Sequence, residues 1–286
     1  MYKKLLLSLA LSIGLILTFA ITSSAAAGDS WTAQSCGTSS NINGVCYSGS
    51  MFVAVGDGGT IVTSADGKSW TNQTSANSAI TGNVNLKAVC YGNNIFMAVG
   101  DSGKVITSAN GVTWTARAYA PNNLVSVYYG TGNTFVAVGN NPNLGGYIYT
   151  STDGGVSWAE EYFYNGWFLN AVCYDGNQFI VVGDMDFSEK CKILTSTNGL
   201  DWNDYSSDQG DQALTCVCSD GNTCVAGDIQ SRIMTSTDSA VTWVNRSWQD
   251  PSNCCFNGVC FGANIFAIVG SGGKIYTSAD GATWNS

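Results

Sequence analysis

Tryptophan recurs along this chain at a nearly fixed interval, and that period restricts the fold more than any other feature. Trp31, Trp70, Trp114, Trp158, Trp202, Trp243 and Trp284 are separated by 39 to 44 residues. Six of them close one short pattern, Ser-x-Asp/Asn-Gly-x-x-Trp. Its first copy reads Ser64-Ala65-Asp66-Gly67-Lys68-Ser69-Trp70 and its last Ser278-Ala279-Asp280-Gly281-Ala282-Thr283-Trp284. The acidic or amide position is Asn110, Asp153, Asn198 and Asp238 in the copies between. Those ending at Trp158 and Trp243 carry one extra residue, and in the latter Ser239 replaces Gly.

The rest of the unit repeats with the tryptophan. Ahead of each turn lies an apolar hairpin, such as Val45-Cys46-Tyr47 followed by Phe52-Val53-Ala54-Val55-Gly56. A third apolar run, such as Thr60-Ile61-Val62-Thr63, precedes the turn, and a fourth starts at the tryptophan. No stretch shows a helical period. Four short strands every forty-odd residues predict propeller blades. One blade cannot bury both its faces, so it needs neighbours, and a closed ring needs no caps. The expected fold is all-β: a six-bladed β-propeller of four-stranded antiparallel blades. The chain stops where the sixth fourth strand should begin, at Trp284-Asn285-Ser286. Residues 29–35 are therefore expected to supply that strand, with Trp31 and Trp284 contesting one position.

These residues resemble the Asp-box (bacterial neuraminidase repeat) propellers over nearly all of residues 28–286. The run ending Ile-x-Thr-Ser-x-Asp-Gly-x-x-Trp is also similar to photosystem II assembly-factor propellers. The resemblance implies that Asp66, Asn110, Asp153, Asn198, Asp238 and Asp280 are structural: each side chain bonds amides of its own turn, Gly takes a positive φ, and Trp packs beneath.

Residues 1–27 read as a signal peptide, with Lys3 and Lys4, an apolar run from Leu5 to Ile21 and small residues Ser23 to Ala27. Residues 28–286 then form a single propeller domain, secreted, cell-surface or periplasmic. It has no membrane span after signal removal and is expected to act as a monomer. The formal net charge is −9, and it becomes more negative when the two lysines leave. That balance argues against nucleic acid and anionic membranes as partners, since both recruit Lys and Arg.

Eleven cysteines are present. Cys46, Cys90, Cys173, Cys218 and Cys260 share one repeat position on the first strand, where Tyr128 fills the third copy, and read as buried packing groups. Cys36, Cys191, Cys216, Cys224, Cys254 and Cys255 fall outside that register and are the disulfide candidates. Cys218 and Cys224 are expected to face each other across one turn.

The chain has no histidine. Triads built on His and His-ligated metal sites are thereby excluded, and no metal or cofactor is expected. Sialidases of the resembled family hold a carboxylate with three arginines, one from an early strand. Here Arg117, Arg232 and Arg246 are the only arginines, and none lies between residues 28 and 64. The assembly-factor propellers dock through arginine-rich surface, which this chain lacks. The turn after the second strand carries Asp57, Asp101, Asp184 and Asp228, with Asn140 and Ser271 in the other units. These turns share a face with the connections between blades, among which Tyr162, Tyr164, Trp167 and Trp248 are conspicuous. Aromatic faces stack on sugars or anchor proteins. The expected function is an exported, non-catalytic binding propeller that presents this aromatic and acidic face to a protein or glycan. The alternative is a glycoside hydrolase acting through a carboxylate pair.

Overall fold

The computed structural model describes residues 30–117, 120–185, 190–206, 212–246 and 254–286, together with the backbone of Leu15–Thr18. The chain is all-β, with six blades of antiparallel strands in a propeller arrangement. The first blade runs Ile42–Tyr47, Phe52–Gly56, Ile61–Ser64 and Thr71–Asn72, each strand pairing with the next. The first strands are Leu86–Gly92, Asn123–Tyr129, Leu169–Tyr174, Leu214–Ser219 and Phe256–Gly262 in the blades that follow.

The second strands are the core. Phe52–Gly56 is buried at every residue, as are Phe96–Gly100 and Phe135–Gly139. A strand covered on both faces must be apolar throughout, which explains the unbroken Val, Ile and Ala runs. Apolar clusters seal successive joints between blades: Val53, Val55 and Ile61 of the first blade meet Leu86, Val89 and Phe96 of the second. Similar clusters join the second to the third, the third to the fourth, the fourth to the fifth and the fifth to the sixth.

The repeated turn is built as its sequence implies. Asp66 Oδ1 accepts from the backbone N–H groups of Lys68 and Ser69, both at 2.8 Å, and Ser64 Oγ accepts from Gly67 N–H at 2.8 Å. In five copies the tryptophan closes the turn by donating Nε1–H to the carbonyl three residues before it, as Trp114 does to Gly111 at 3.0 Å, whereas Trp158 Nε1 makes no hydrogen bond among the described residues. The glycine has a second duty. A Cβ on Gly111 would lie 2.8 Å from Val53 Cγ2 of the preceding blade, and one on Gly155 would lie 2.4 Å from Met97 Cε. In the fifth copy Ala240, not Ser239, takes this place: it is buried, has φ 64°, donates its N–H to Ser236 Oγ and accepts from Trp243 Nε1.

Three expectations are corrected. Residues 29–35 do not complete the sixth blade: Thr32–Ser35 pairs antiparallel with Leu15–Thr18. Asn285 instead begins that blade's fourth strand, exchanging backbone hydrogen bonds with Thr277 at 2.8 and 2.9 Å. Trp284 wins the contested position because its Nε1–H already reaches Gly281 O of its own turn, at 2.9 Å. Trp31 packs instead against Ala267 and Val269 on the face of the sixth blade.

A helix, Thr74–Thr81, occurs where no helical period was read. It is short and is held by polar bonds rather than by an apolar stripe. Buried Asn77 donates to Gln73 O and Val112 O and accepts from Trp114 N–H.

The cysteines form no disulfide: all eleven are free. Cys218 stands opposite Val225, and Cys224 opposite Ser219. Because strand side chains alternate, Cys224 packs toward the fourth blade and Cys218 toward the sixth. Burial pushes the thiols of Cys46, Cys90, Cys173, Cys218 and Cys260 up, which keeps them protonated.

Candidate functional site

The face opposite the tryptophan turns is assembled from one recurring bond. In four blades the residue after the glycine that ends the buried run of the second strand donates its N–H to the carbonyl just ahead of the first strand. Asp57 reaches Asn41 O at 3.0 Å, Asp101 Asn85 O at 2.9 Å, Asp184 Phe168 O at 2.9 Å and Ser271 Cys255 O at 2.9 Å. These bonds put the backbone of Asp57, Asp101 and Asp184 beside the ends of the connections that enter the first strands.

Beneath them is a device that the sequence pattern did not reveal. In every blade the pairing of first and second strands slips by one residue near its start, a β-bulge. The displaced residues are Asn43, Lys87, Val125, Asn170, Thr215 and Asn257. Several of these side chains fasten one blade to the next. Asn43 donates to Asp57 Oδ1 at 2.8 Å and to Leu86 O of the second blade at 2.9 Å. Asn170 donates to Asp184 Oδ1 at 3.0 Å and to Leu214 O of the fifth blade at 2.8 Å. Thr215 Oγ1 donates to Phe256 O of the sixth blade at 2.5 Å.

The carboxylates are thus occupied by their own blades. Asp57 also accepts from Asn41 Nδ2 at 2.9 Å, and the Asn43 amide, with Asn41 and Lys87 in support, holds its carboxyl below the usual range. Asp101 accepts from Asn85 Nδ2 at 3.0 Å and lies 3.8 Å from Lys87 Nζ. Asp228 is 1% exposed; burial raises its carboxyl, partly offset by the backbone N–H groups of Arg232 and Gln230, and Arg232 Nε lies 2.7 Å away. A paired acid and base needs two carboxyls turned toward one cleft. Here each is turned into the amides of its own blade. Among the described residues no group of three or more Cys, Asp or Glu is placed to hold a metal.

The aromatic candidates divide. Tyr162 and Tyr164 are not in a connection but in the fourth strand of the third blade, Ala159–Asn165, opposite Ile148 and Gly146. That strand is longer than its two-residue counterparts and pairs with the third strand from Gly145 to Thr150. The side chains of Tyr162 and Tyr164, and all of Trp248, lie outside the described residues. Trp167 does stand on this face, half-buried, beside Phe168 (37% exposed). Leu144, 49% exposed, joins them, since its carbonyl accepts from Gly166 N–H at 2.9 Å. Leu144, Trp167 and Phe168 are thus brought near one another by the backbone where the third blade passes to the fourth, with Asp184 bonded to the Phe168 backbone. Leu144 escaped sequence reading because one leucine in a turn carries no pattern.

No protein-family model matches the chain, and no curated protein matches it. Solved structures do. A YCF48 bound to a D1 peptide superposes with TM-score 0.68 at 15% identity, over 93% of this chain and 85% of that one. YCF48 from Cyanidioschyzon merolae gives 0.64 at 16% identity, over 92% and 87%. A catalytically inactive virginiamycin B lyase from Staphylococcus aureus with quinupristin gives 0.74 at 10% identity, over 92% and 87%. At such identities the likeness is one of fold.

Proposed function

We propose that this chain is an exported, non-catalytic Asp-box propeller that binds a protein or glycan through the face carrying Leu144, Trp167 and Phe168 beside Asp184. One observation carries the reading: apolar side chains are exposed on the same face where the carboxylates are already engaged by internal amides. Exposed aromatic and aliphatic groups gain by being covered, whereas a carboxylate bonded to its own scaffold has less to offer as acid or base. A structural neighbour of this fold has been solved with a peptide bound, which favours a protein ligand. The lyase neighbour is inactive once a histidine is replaced by alanine, and this chain has no histidine.

The test is a glycan array and a displayed-peptide library probed with the chain from residue 28 onward, alongside polysaccharide hydrolysis. Binding without turnover, lost in Leu144→Ser and Phe168→Ala, is the expected result. Polysaccharide cleavage abolished by alanine at Asp57, Asp101, Asp184 or Asp228 would overturn the reading in favour of a hydrolase.

A further inference from the structure

The six joints between blades are not alike. At five of them the first strands of neighbouring blades pack together, whereas Phe256–Gly262 of the sixth blade has no comparable packing on Ile42–Tyr47 of the first. The apolar residues follow suit. Ala267 and Val269 of the sixth blade form one cluster, and Ile42, Ala54 and Val62 of the first form another, where every other joint has a single shared cluster. Asn257 holds the bulge position from which Asn43, Asn170 and Thr215 reach the following blade; like Lys87 and Val125 at two other joints, it makes no such bond among the described residues, so here neither packing nor a bulge bond ties the blades.

What spans this seam is the N-terminal segment. Trp31 packs on the sixth-blade cluster with Cys260 and Ile275, and Cys36 is buried in the first-blade cluster. Between them runs Thr32–Ser35, whose partner strand among the described residues is Leu15–Thr18, antiparallel, in the register Leu15 to Ser35 through Thr18 to Thr32. A segment of residues 1–27 that is apolar in sequence is therefore seated, extended, on the edge of the strand that runs between the two clusters. Removing residues 1–27 removes that partner and leaves a row of backbone donors and acceptors open, the arrangement by which sheets recruit a further strand.

We propose that the seam between the sixth and first blades is a strand-acceptor site, in which the edge of Thr32–Ser35 takes an extended apolar peptide segment of another protein in place of Leu15–Thr18. The proposal rests on the leader's removal, which belongs to the exported reading, but not on the loop-face ligand.

The experiment uses the chain from residue 28 onward and a labelled peptide of residues 12–21 carrying terminal lysines for solubility. Fluorescence anisotropy should show saturable binding, and hydrogen exchange at residues 32–35 should slow on addition of peptide. The intact chain, its edge already taken, should bind roughly tenfold more weakly or worse. Successive N–H groups of a strand point to opposite edges, so one of Ala33→Pro and Gln34→Pro must remove a donor facing the peptide and weaken binding by about tenfold. Phe168→Ala should leave it unchanged, which separates this site from the loop face. If the shortened chain shows no cooperative melt, the intact chain with Leu17→Pro frees the same edge and should gain binding. No binding by either protein, equal binding by the intact chain, or indifference to both proline variants would overturn the proposal.

Discussion

Replacing Asp66 by alanine removes the acceptor for the N–H groups of Lys68 and Ser69 and for the Ser64 hydroxyl. Water replaces part of this at an exposed turn, so the expected loss is about 1–2 kcal/mol, read as a fall of a few degrees in melting temperature. Two glycines, Gly111 of a tryptophan turn and Gly132 of the hairpin between Asn123–Tyr129 and Phe135–Asn141, separate two effects that sequence alone merges. Gly111 and Gly132 both have positive φ, at 71° and 62°, but a Cβ on Gly132 meets nothing within 4 Å while one on Gly111 meets Val53. Gly132→Ala should cost about 1 kcal/mol from backbone strain alone. Gly111→Ala should cost about 1–3 kcal/mol more, because the first blade must yield. Denaturant melts of the two variants would show whether that packing is real. The positive φ was legible in the turn pattern. The contact with the neighbouring blade was not, because it joins residues 58 positions apart.

At the scale of the element, the helix Thr74–Thr81 and the bulged first strands are what the sequence concealed. The helix has no apolar stripe to betray it, and Asn77 anchors it to the turn of the second blade. Asn77→Ala leaves the buried N–H of Trp114 without that acceptor. It should cost about 2–3 kcal/mol and speed hydrogen exchange at Trp114 more than in the other five tryptophan turns. The bulges were illegible for a related reason. A strand read by alternation is silent about a one-residue slip, since Asn43 or Asn170 reads simply as a polar residue at a strand start. Only the pairing with Phe52–Gly56 or Phe179–Met185 exposes it. Asn170→Leu removes the bonds to Asp184 and to Leu214 O. It should lower stability by about 1–3 kcal/mol while leaving the far-ultraviolet circular dichroism of the blades intact.

The molecule as a whole carries a pH dependence of definite sign. Hydrogen bonds hold the carboxyls of Asp57, Asp238 and Asp280 below their ordinary value, and bonds from Ser157 outweigh burial to bring Asp153 to about 2. A depressed folded-state value contributes stability that is present above the unfolded value, near pH 4, and is lost as pH falls through the folded one. Thermal stability should therefore hold from neutral pH to about pH 4 and decline toward about pH 2. Asp228, raised by burial, has the opposite sign and softens the decline. A melting temperature that rose on acidification through this range would refute the assignment. The repeat, the alternating strands and the tryptophan turn were set by the sequence alone, because each is a local pattern whose partners lie within a few residues. The closure, the bulge that ties one blade to the next and the fate of the carboxylates were decided only in the tertiary structure. Each depends on backbone groups of a neighbouring blade or of the chain's far end, and a carbonyl such as Leu86 O or Leu214 O has no residue type by which a sequence could announce it.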